Sequence, residues 1–326
     1  MIETANLSKH FGFIRAVDGI DLNMREGEVL ALLGPNGAGK TTTVRILAAI
    51  LKPTTGWARI AGLDTVREAR QVRRIVGLLT EVPGLYTRMR ALEYLDFFGQ
   101  LHGLTSRQRA ARSEQLLRRF DLWEARQQRL GEYSKGMRQK LALVRAMLHN
   151  PLVLFLDEPT SAMDPHSARQ VRQAIIELRR ERRTIILCTH NLSEAEALAD
   201  RIAIIRRGRI AALGSVPELK RRLLGDTLLE LRVGTSLDGL LPLLQDLVQV
   251  QECGVDWVRY TTSTPEMVNP QLVQRLSERG VPVITLSEVP RSLEEVYLRI
   301  VGEAPSDEDV HEPISSFEST PVLSQQ

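Results

Sequence analysis

The run Gly34-Pro35-Asn36-Gly37-Ala38-Gly39-Lys40-Thr41 constrains this chain more than any other. It follows "GEVLALL", an apolar strand pattern, and leads into "TTVRILAAIL", a helical one. A G-x-x-x-x-G-K-[ST] loop in that setting can turn its backbone N–H groups inward around phosphates. The helix that follows adds free donors and a favourable dipole. Lys40 is expected to reach the β- and γ-phosphates and Thr41 to bind Mg²⁺, with the cradle running on through Thr42. A glycine-rich loop carrying a stray lysine would need neither the strand before it nor the helix after it.

Three further stretches bear on the same chemistry. "LVLFLDE" (152–158) is an apolar strand ending in two acids. An acid at the end of a buried strand beside a phosphate loop suits Mg²⁺, and that role falls to Asp157. Glu158 is then placed to act on an attacking water as general base. "TIILCTHN" is another apolar strand, followed by His190. That histidine reads either as a structural cap or as a partner of the γ-phosphate and the attacking water. "EYSKGMRQKLALVRA" (132–146) reads as a helix start, with Ser134 as N-cap and Gly136 allowing a close approach. It is either a simply capped helix or a second anion site, one that would serve the nucleotide of another chain.

Wholly apolar strands alternating with helices predict a parallel sheet covered on both faces. "RIAIIRRGRIAALG" alternates around Arg207-Gly208 and predicts a hairpin. A helical insertion is expected over about 87–150, where apolar residues recur three and four apart. The fold expected is α/β: a P-loop nucleotide-binding domain with that insertion over 1–222, followed by a small ferredoxin-like α+β domain over 226–302. The second expectation rests on the order β-α-β-β-α-β plus a closing helix, with a helix over "SLDGLLPLLQDL" (236–247). A helix with Ser193 near its start is expected after His190. From residue 303 onward Ser, Pro and acids dominate, and disorder is expected.

Forty-three Lys and Arg against forty Asp and Glu leave a net charge of +3, too balanced to point to nucleic acid. Cys188 and Cys253 have no metal-ligand spacing, and Cys188 reads as a buried thiol of a reduced compartment. The N-terminus lacks a signal-peptide pattern, and no apolar run approaches the ~18 residues of a membrane span. The chain is therefore expected to be soluble by itself, and any membrane role to need partner subunits.

With these motifs in order, the chain resembles the ATP-binding subunits of ABC transporters over roughly residues 1–220. "GPNGAGKT" resembles Walker A, "LVLFLDEP" Walker B with its glutamate, and "SAMD" (161–164) the D-loop. "THNLSEAEALADRIAII" is similar to the switch-histidine segment, and "YSKGMRQKL" to the signature more often written LSGGQ. The signature variant and the ending "SLEEVYLRIVGE" resemble the drug-resistance and sodium-export branch, whose ATPase is a polypeptide separate from its permease. The resemblance implies ATP and Mg²⁺ as ligands and an adenine stacked on Phe11, with Phe13 as the fallback. It implies Ser134 and Gly136 as contacts to a partner's ATP, and Glu81 at the place where family members often carry a metal-side Gln. It further implies a second copy of the chain and polytopic permease subunits as partners, no nucleic acid, and a cytoplasmic position on the inner face of the cell membrane. Rival classes are soluble ABC ATPases acting on ribosomes or DNA, and a non-enzymatic binding module. Ribosome-acting members usually carry two ATP domains, and here there is one Walker A. DNA-repair members carry long coiled coils, whereas about 110 residues without sustained heptads separate Thr41 from Leu152. A binding module would be expected to lack Lys40 or Glu158, and both are present.

Overall fold

The computed structural model describes residues 1–302 apart from Ala162 and Asp238, and all of their side chains except that of Leu243. The tail expected to be disordered, 303–326, lies outside the described residues.

The core is a six-stranded sheet in the order Arg209–Gly214, Arg201–Arg206, Val29–Leu33, Thr184–Cys188, Val153–Asp157, Val76–Leu79. All neighbours are parallel except the first pair, which is the antiparallel hairpin expected at Arg207-Gly208. Every residue of Val29–Leu33, Val153–Asp157 and Thr184–Cys188 is buried, which is why these strands read as unbroken apolar runs. Both central residues of the hairpin turn have positive φ, Arg207 at 50° and Gly208 at 80°, as a two-residue turn of the right twist requires.

A second, four-stranded antiparallel sheet is built from Ile14–Met24, Ile2–Phe11, Thr55–Ile60 and Leu63–Asp64. It shares an apolar cluster with the phosphate-loop helix Lys40–Leu47 through Leu7, Leu22, Val44 and Leu47. The expected insertion consists of helices Ala91–Leu101, Ser106–Arg119 and Lys135–Met147, packed around Tyr94, Leu117, Phe120 and Leu141.

The C-terminal sheet runs Gln249–Cys253, Trp257–Thr262, Thr227–Val233, Val283–Glu288, with every neighbouring pair antiparallel. That is the split β-α-β order of a ferredoxin-like sheet. Two departures have physical causes. The helix expected over 236–247 is only Leu241–Gln245. Gly239 precedes it in the left-handed region (φ 79°), and Pro242 sits in its first turn, where its fixed φ starts a helix. The closing helix, Leu293–Gly302, leaves the small sheet. Its apolar face (Leu293, Val296, Ile300) is buried against Ala31 and Leu33 of the strand feeding the phosphate loop, and against Ile204 and Leu219. The sequence order assigned this helix to the small domain, and its cover is the first domain.

The end of helix Lys135–Met147 carries an acid-sensitive contact. His149 Nε2 lies 3.0 Å from the Val76 carbonyl, and its ring stacks on His102 at 3.7 Å. Burial, with the nearby His102 acting in the same direction, pushes His149 down from 6.5 to about 4. Between those values the unfolded chain binds more protons than the folded one, so stability rises with pH there and is lost as pH falls below about 6.5. The whole effect is roughly 3 kcal/mol at ~1.36 kcal/mol per pH unit. Urea unfolding at pH 7 and pH 5 is expected to show the wild type losing about 2 kcal/mol more than His149→Gln. Equal losses in the two proteins would remove His149 from the acid response.

Candidate functional site

The phosphate loop is shaped by contacts that exclude side chains. A Cβ at Gly34 would meet the Ile205 carbonyl oxygen at 2.3 Å, and one at Gly39 the Ala16 carbonyl oxygen at the same distance. Both residues also have positive φ, 156° and 108°. The loop is thus wedged between the Arg201–Arg206 strand and the Ile14–Met24 strand. The hairpin turn braces it, since the Gly208 N–H donates to the Ala38 carbonyl at 2.9 Å. Asn36 and Gly37 are exposed at its tip.

Lys40 and Thr41 open the helix, and both already have partners. Lys40 Nζ is buried and donates to the carbonyls of Gly34 at 2.6 Å and Pro35 at 3.0 Å, so the ammonium lies curled inside the loop. Thr41 Oγ1 donates to Asp157 Oδ2 at 2.9 Å, across 116 residues of sequence. The two groups predicted to face a metal ion therefore meet. Burial pushes the Asp157 carboxyl up from its usual range, and the charges of Glu158 and Glu81 push the same way. The Thr41 hydrogen bond and Lys40 oppose that rise. A divalent cation fits this field, because it would offset carboxylates that one ammonium leaves partly uncompensated. Among the described residues no three His, Cys, Asp or Glu side chains form a metal cage by themselves. That suits Mg²⁺, which commonly keeps waters and takes its other oxygens from substrate phosphates. Glu81 is exposed in the loop after Val76–Leu79 and reaches Asp157 by its field.

Glu158 sits in the left-handed region (φ 50°), unusual for a side-chain-bearing residue. Its N–H donates to the Cys188 carbonyl at 2.9 Å, crossing to the neighbouring strand. Its carboxylate Oε1 lies 2.8 Å from His190 Nδ1, a distance at which the ring N–H donates. Glu158 is largely buried, 12% exposed, while His190 is 73% exposed, so the histidine ring faces open space with its other nitrogen. The structure thus joins the two residues that the sequence left on separate strands.

Ser134 is the N-cap of helix Lys135–Met147, with Oγ accepting from the Met137 N–H at 3.2 Å. Ser134 and Lys135 are exposed. A Cβ at Gly136 would find only Ser167, Asp164 and Ser134 oxygens, at 3.8–4.0 Å. Packing within this chain therefore does not require glycine there, and no phosphate-loop atom is among those neighbours. Tyr133, where the common signature has Leu, is a core residue. It is buried, and its hydroxyl donates to the Ala125 carbonyl at 2.9 Å. Burial pushes that phenol up to about 12. The D-loop run 161–164 includes Ala162, outside the described residues. Its Asp164 caps the helix Pro165–Arg180 by accepting from the Ser167 N–H.

Phe11 ends the first strand opposite Ile14, with its ring 48% exposed and the Lys9 ammonium 5.2 Å from the ring centre. Phe13 is fully exposed. Sequence reasoning missed Gln139, a buried residue whose Nε2 donates to the Glu158 carbonyl at 3.3 Å. The helix expected after His190 is Leu192–Leu198, with Ser193 in its first turn; Asn191 caps it, accepting from the Glu194 N–H at 3.0 Å. A cleft of about 960 Å³ lies between helix Val216–Leu224 and the C-terminal sheet, and none of the predicted site residues lines it.

Residues 17–161 match a family model described as ABC transporter. The chain is 37% identical over 300 residues to the daunorubicin resistance ATP-binding protein DrrA3 of Streptomyces coeruleorubidus, covering 90% of this chain and 94% of that protein. It is 34% identical over 301 residues to the Nod factor export ATP-binding protein I of Rhizobium sp. (strain N33), covering 92% and 97%. Its fold matches, with a TM-score of 0.62 and 25% identity, a dimeric ATP-binding cassette in a post-hydrolysis state bound to ADP and Pi, covering 66% of this chain and 99% of that one.

Proposed function

Since this chain belongs to the ABC transporter family, as one of its ATP-binding subunits, we propose that two copies close head to tail over two ATP molecules and so drive export through a separate membrane permease. ATP binding and hydrolysis follow from that membership.

One observation carries it. At this helix start Ser134 and Lys135 are exposed and Gly136 is half-buried, the start suits an anion, and none of the nearest atoms to a Cβ at Gly136 comes from its own phosphate loop. A second copy supplies what it lacks. In this reading each ATP lies on Gly34–Thr42 of one copy, with Lys40 leaving its two carbonyls for the β- and γ-phosphates. Phe11 offers its exposed face to the adenine. Thr41 and Asp157 would hold Mg²⁺, with Glu81 in the same field, and that ion supplies neutralisation of phosphate charge. Glu158 takes the proton of the attacking water, and His190 orients Glu158 and contacts the γ-phosphate. Ser134 and Gly136 of the other copy close the site. Loss of the γ-phosphate removes those contacts and reopens the pair, a two-state movement that a permease can follow.

The permease side of this reading rests on exposed aromatic surface. Tyr86, Phe97 and Leu101 are 53%, 40% and 67% exposed, and Tyr86 packs on Phe97 and Phe98 beside the Glu81 loop. A permease helix would cover them. Among the described residues no helix is long and apolar enough to cross a membrane, so the proposed place at the inner face of the cell membrane depends on that partner. The division proposed is 1–222 and 226–302, supported by the separate apolar cluster of the C-terminal sheet, with the closing helix packed on the first unit.

The two-copy site is tested by the protein-concentration dependence of ATP turnover. Activity per chain is expected to rise with concentration until the pair saturates. Activity per chain that is constant across dilution in a monomeric preparation would show that one chain suffices.

A further inference from the structure

We propose that Glu194 is a positioning residue of the hydrolytic site, tying the loop that carries Glu158 to the loop that carries His190. The inference rests on Glu158 and His190 being the hydrolytic pair, as read above.

Glu194 is the third residue of helix Leu192–Leu198 and only 3% exposed. Its two carboxylate oxygens serve different loops. Oε1 accepts from Thr160 Oγ1 at 2.8 Å, and Thr160 stands two residues after Glu158. Oε2 accepts from Thr189 Oγ1 at 3.1 Å, and Thr189 immediately precedes His190. The Thr189 hydroxyl is itself oriented, because it also accepts from the Asn191 N–H at 3.0 Å. A hydroxyl has one proton to give, so with its acceptor side taken, that proton goes to Glu194.

An acid at the third position of a helix ordinarily serves the helix start. This chain contains the ordinary case. Glu218, at the third position after the cap Ser215, turns back to accept from the Ser215 N–H at 2.8 Å. Glu194 makes no such return, and its own N–H is satisfied by Asn191. Its carboxylate points away from the helix start and into the gap between two strand ends. It is held there against the cost of burial, which raises its pKa while the two threonine hydrogen bonds lower it. Charge is thus placed where a cap does not need it and where two loops do.

The need is specific. Glu158 has a positive φ, a conformation that a side-chain-bearing residue keeps only when its surroundings hold it. The Glu158 N–H to Cys188 carbonyl bond fixes the near side of its loop, and the Thr160–Glu194–Thr189 bridge fixes the far side. With both in place, the Glu158 carboxylate and the His190 ring are held 2.8 Å apart. A misplacement of about 1 Å in a reacting group can cost ~10²-fold in rate.

The test uses Glu194→Ala, Glu194→Gln and Thr189→Val in the full chain, alone and combined with Glu158→Gln, with ATP as probe. Glu194→Ala is expected to lower kcat by roughly 10- to 100-fold with KM and equilibrium ATP binding unchanged. Glu194→Gln, whose amide still reaches both hydroxyls, is expected to recover most of that loss. Thr189→Val, close in shape, is expected to lose kcat by several-fold and to add nothing in the Glu194→Ala protein. In the Glu158→Gln protein none of the three should lower turnover further. An equal fall in ATP binding and kcat, no recovery with Gln, or a full multiplicative loss on top of Glu158→Gln would make Glu194 a structural residue and overturn the proposal. Should Glu194→Ala fail to fold, Thr189→Val decides by the same criteria. Wild-type turnover in Glu158→Gln alone would instead strike at the hydrolytic pair, which keeps the two failures apart.

Discussion

Glu158→Gln is expected to bind ATP as the wild type does, to lose turnover by ~10²–10⁴-fold, and to gather as an ATP-dependent dimer. The size of the loss follows from the chemistry: an amide cannot take the proton of the attacking water. The retained binding follows from the geometry. Lys40 Nζ is held by the Gly34 and Pro35 carbonyls rather than by Glu158, and Gln keeps an oxygen for His190 Nδ1 at the position of Oε1. The N–H to Cys188 bond is untouched by the change, so the backbone at Glu158 keeps its unusual conformation. Steady-state phosphate release and nucleotide binding by filter or fluorescence assay measure the two halves. Turnover near the wild-type rate would remove Glu158 as the base.

Ser134→Arg is expected to abolish most turnover, by ~10²-fold or more, with ATP binding intact. Within its own chain Ser134 does one thing, which is to cap a helix through the Met137 N–H. Losing a cap costs about 1 kcal/mol, too little to unfold a domain with this much buried core. None of the nearest atoms to a Cβ at Gly136 comes from the phosphate loop, so the first encounter with nucleotide is expected to be unaffected. In the proposed pair, an arginine would fill the space that the partner's phosphate loop takes. A variant that binds and turns over ATP normally would place the signature stretch outside the reaction.

The phosphate loop was legible from sequence because its requirements are local: two glycines where neighbouring carbonyls come within 2.3 Å of a Cβ, then Lys40 and Thr41 on the first turn of a helix. Asp157, Glu158 and His190 were legible because a buried parallel strand ends at a fixed place, and polar residues just beyond it face the ligand edge of the sheet. Glu194 was hidden because "NLSE" reads as an ordinary helix start. Only the fold reveals that its carboxylate turns from the helix toward Thr160 and Thr189. Gln139 was hidden for a similar reason, since a helical period marks it as buried but does not name the Glu158 carbonyl as its partner. Tyr133 opens the signature stretch, and only the fold shows that it is a core residue with a satisfied hydroxyl. The destination of the closing helix depends on apolar residues some 260 positions upstream, such as Leu33. A pattern of spacings within the helix carries no information about them.

The central claim is that the site is completed by a second chain, and light scattering on a sizing column tests it most directly. Glu158→Gln and the double variant Glu158→Gln/Ser134→Arg are compared with saturating ATP. The account predicts twice the monomer mass for the first and monomer mass for the second, with equal ATP bound per chain. Dimers of both, or monomers of both with ATP bound, would contradict it.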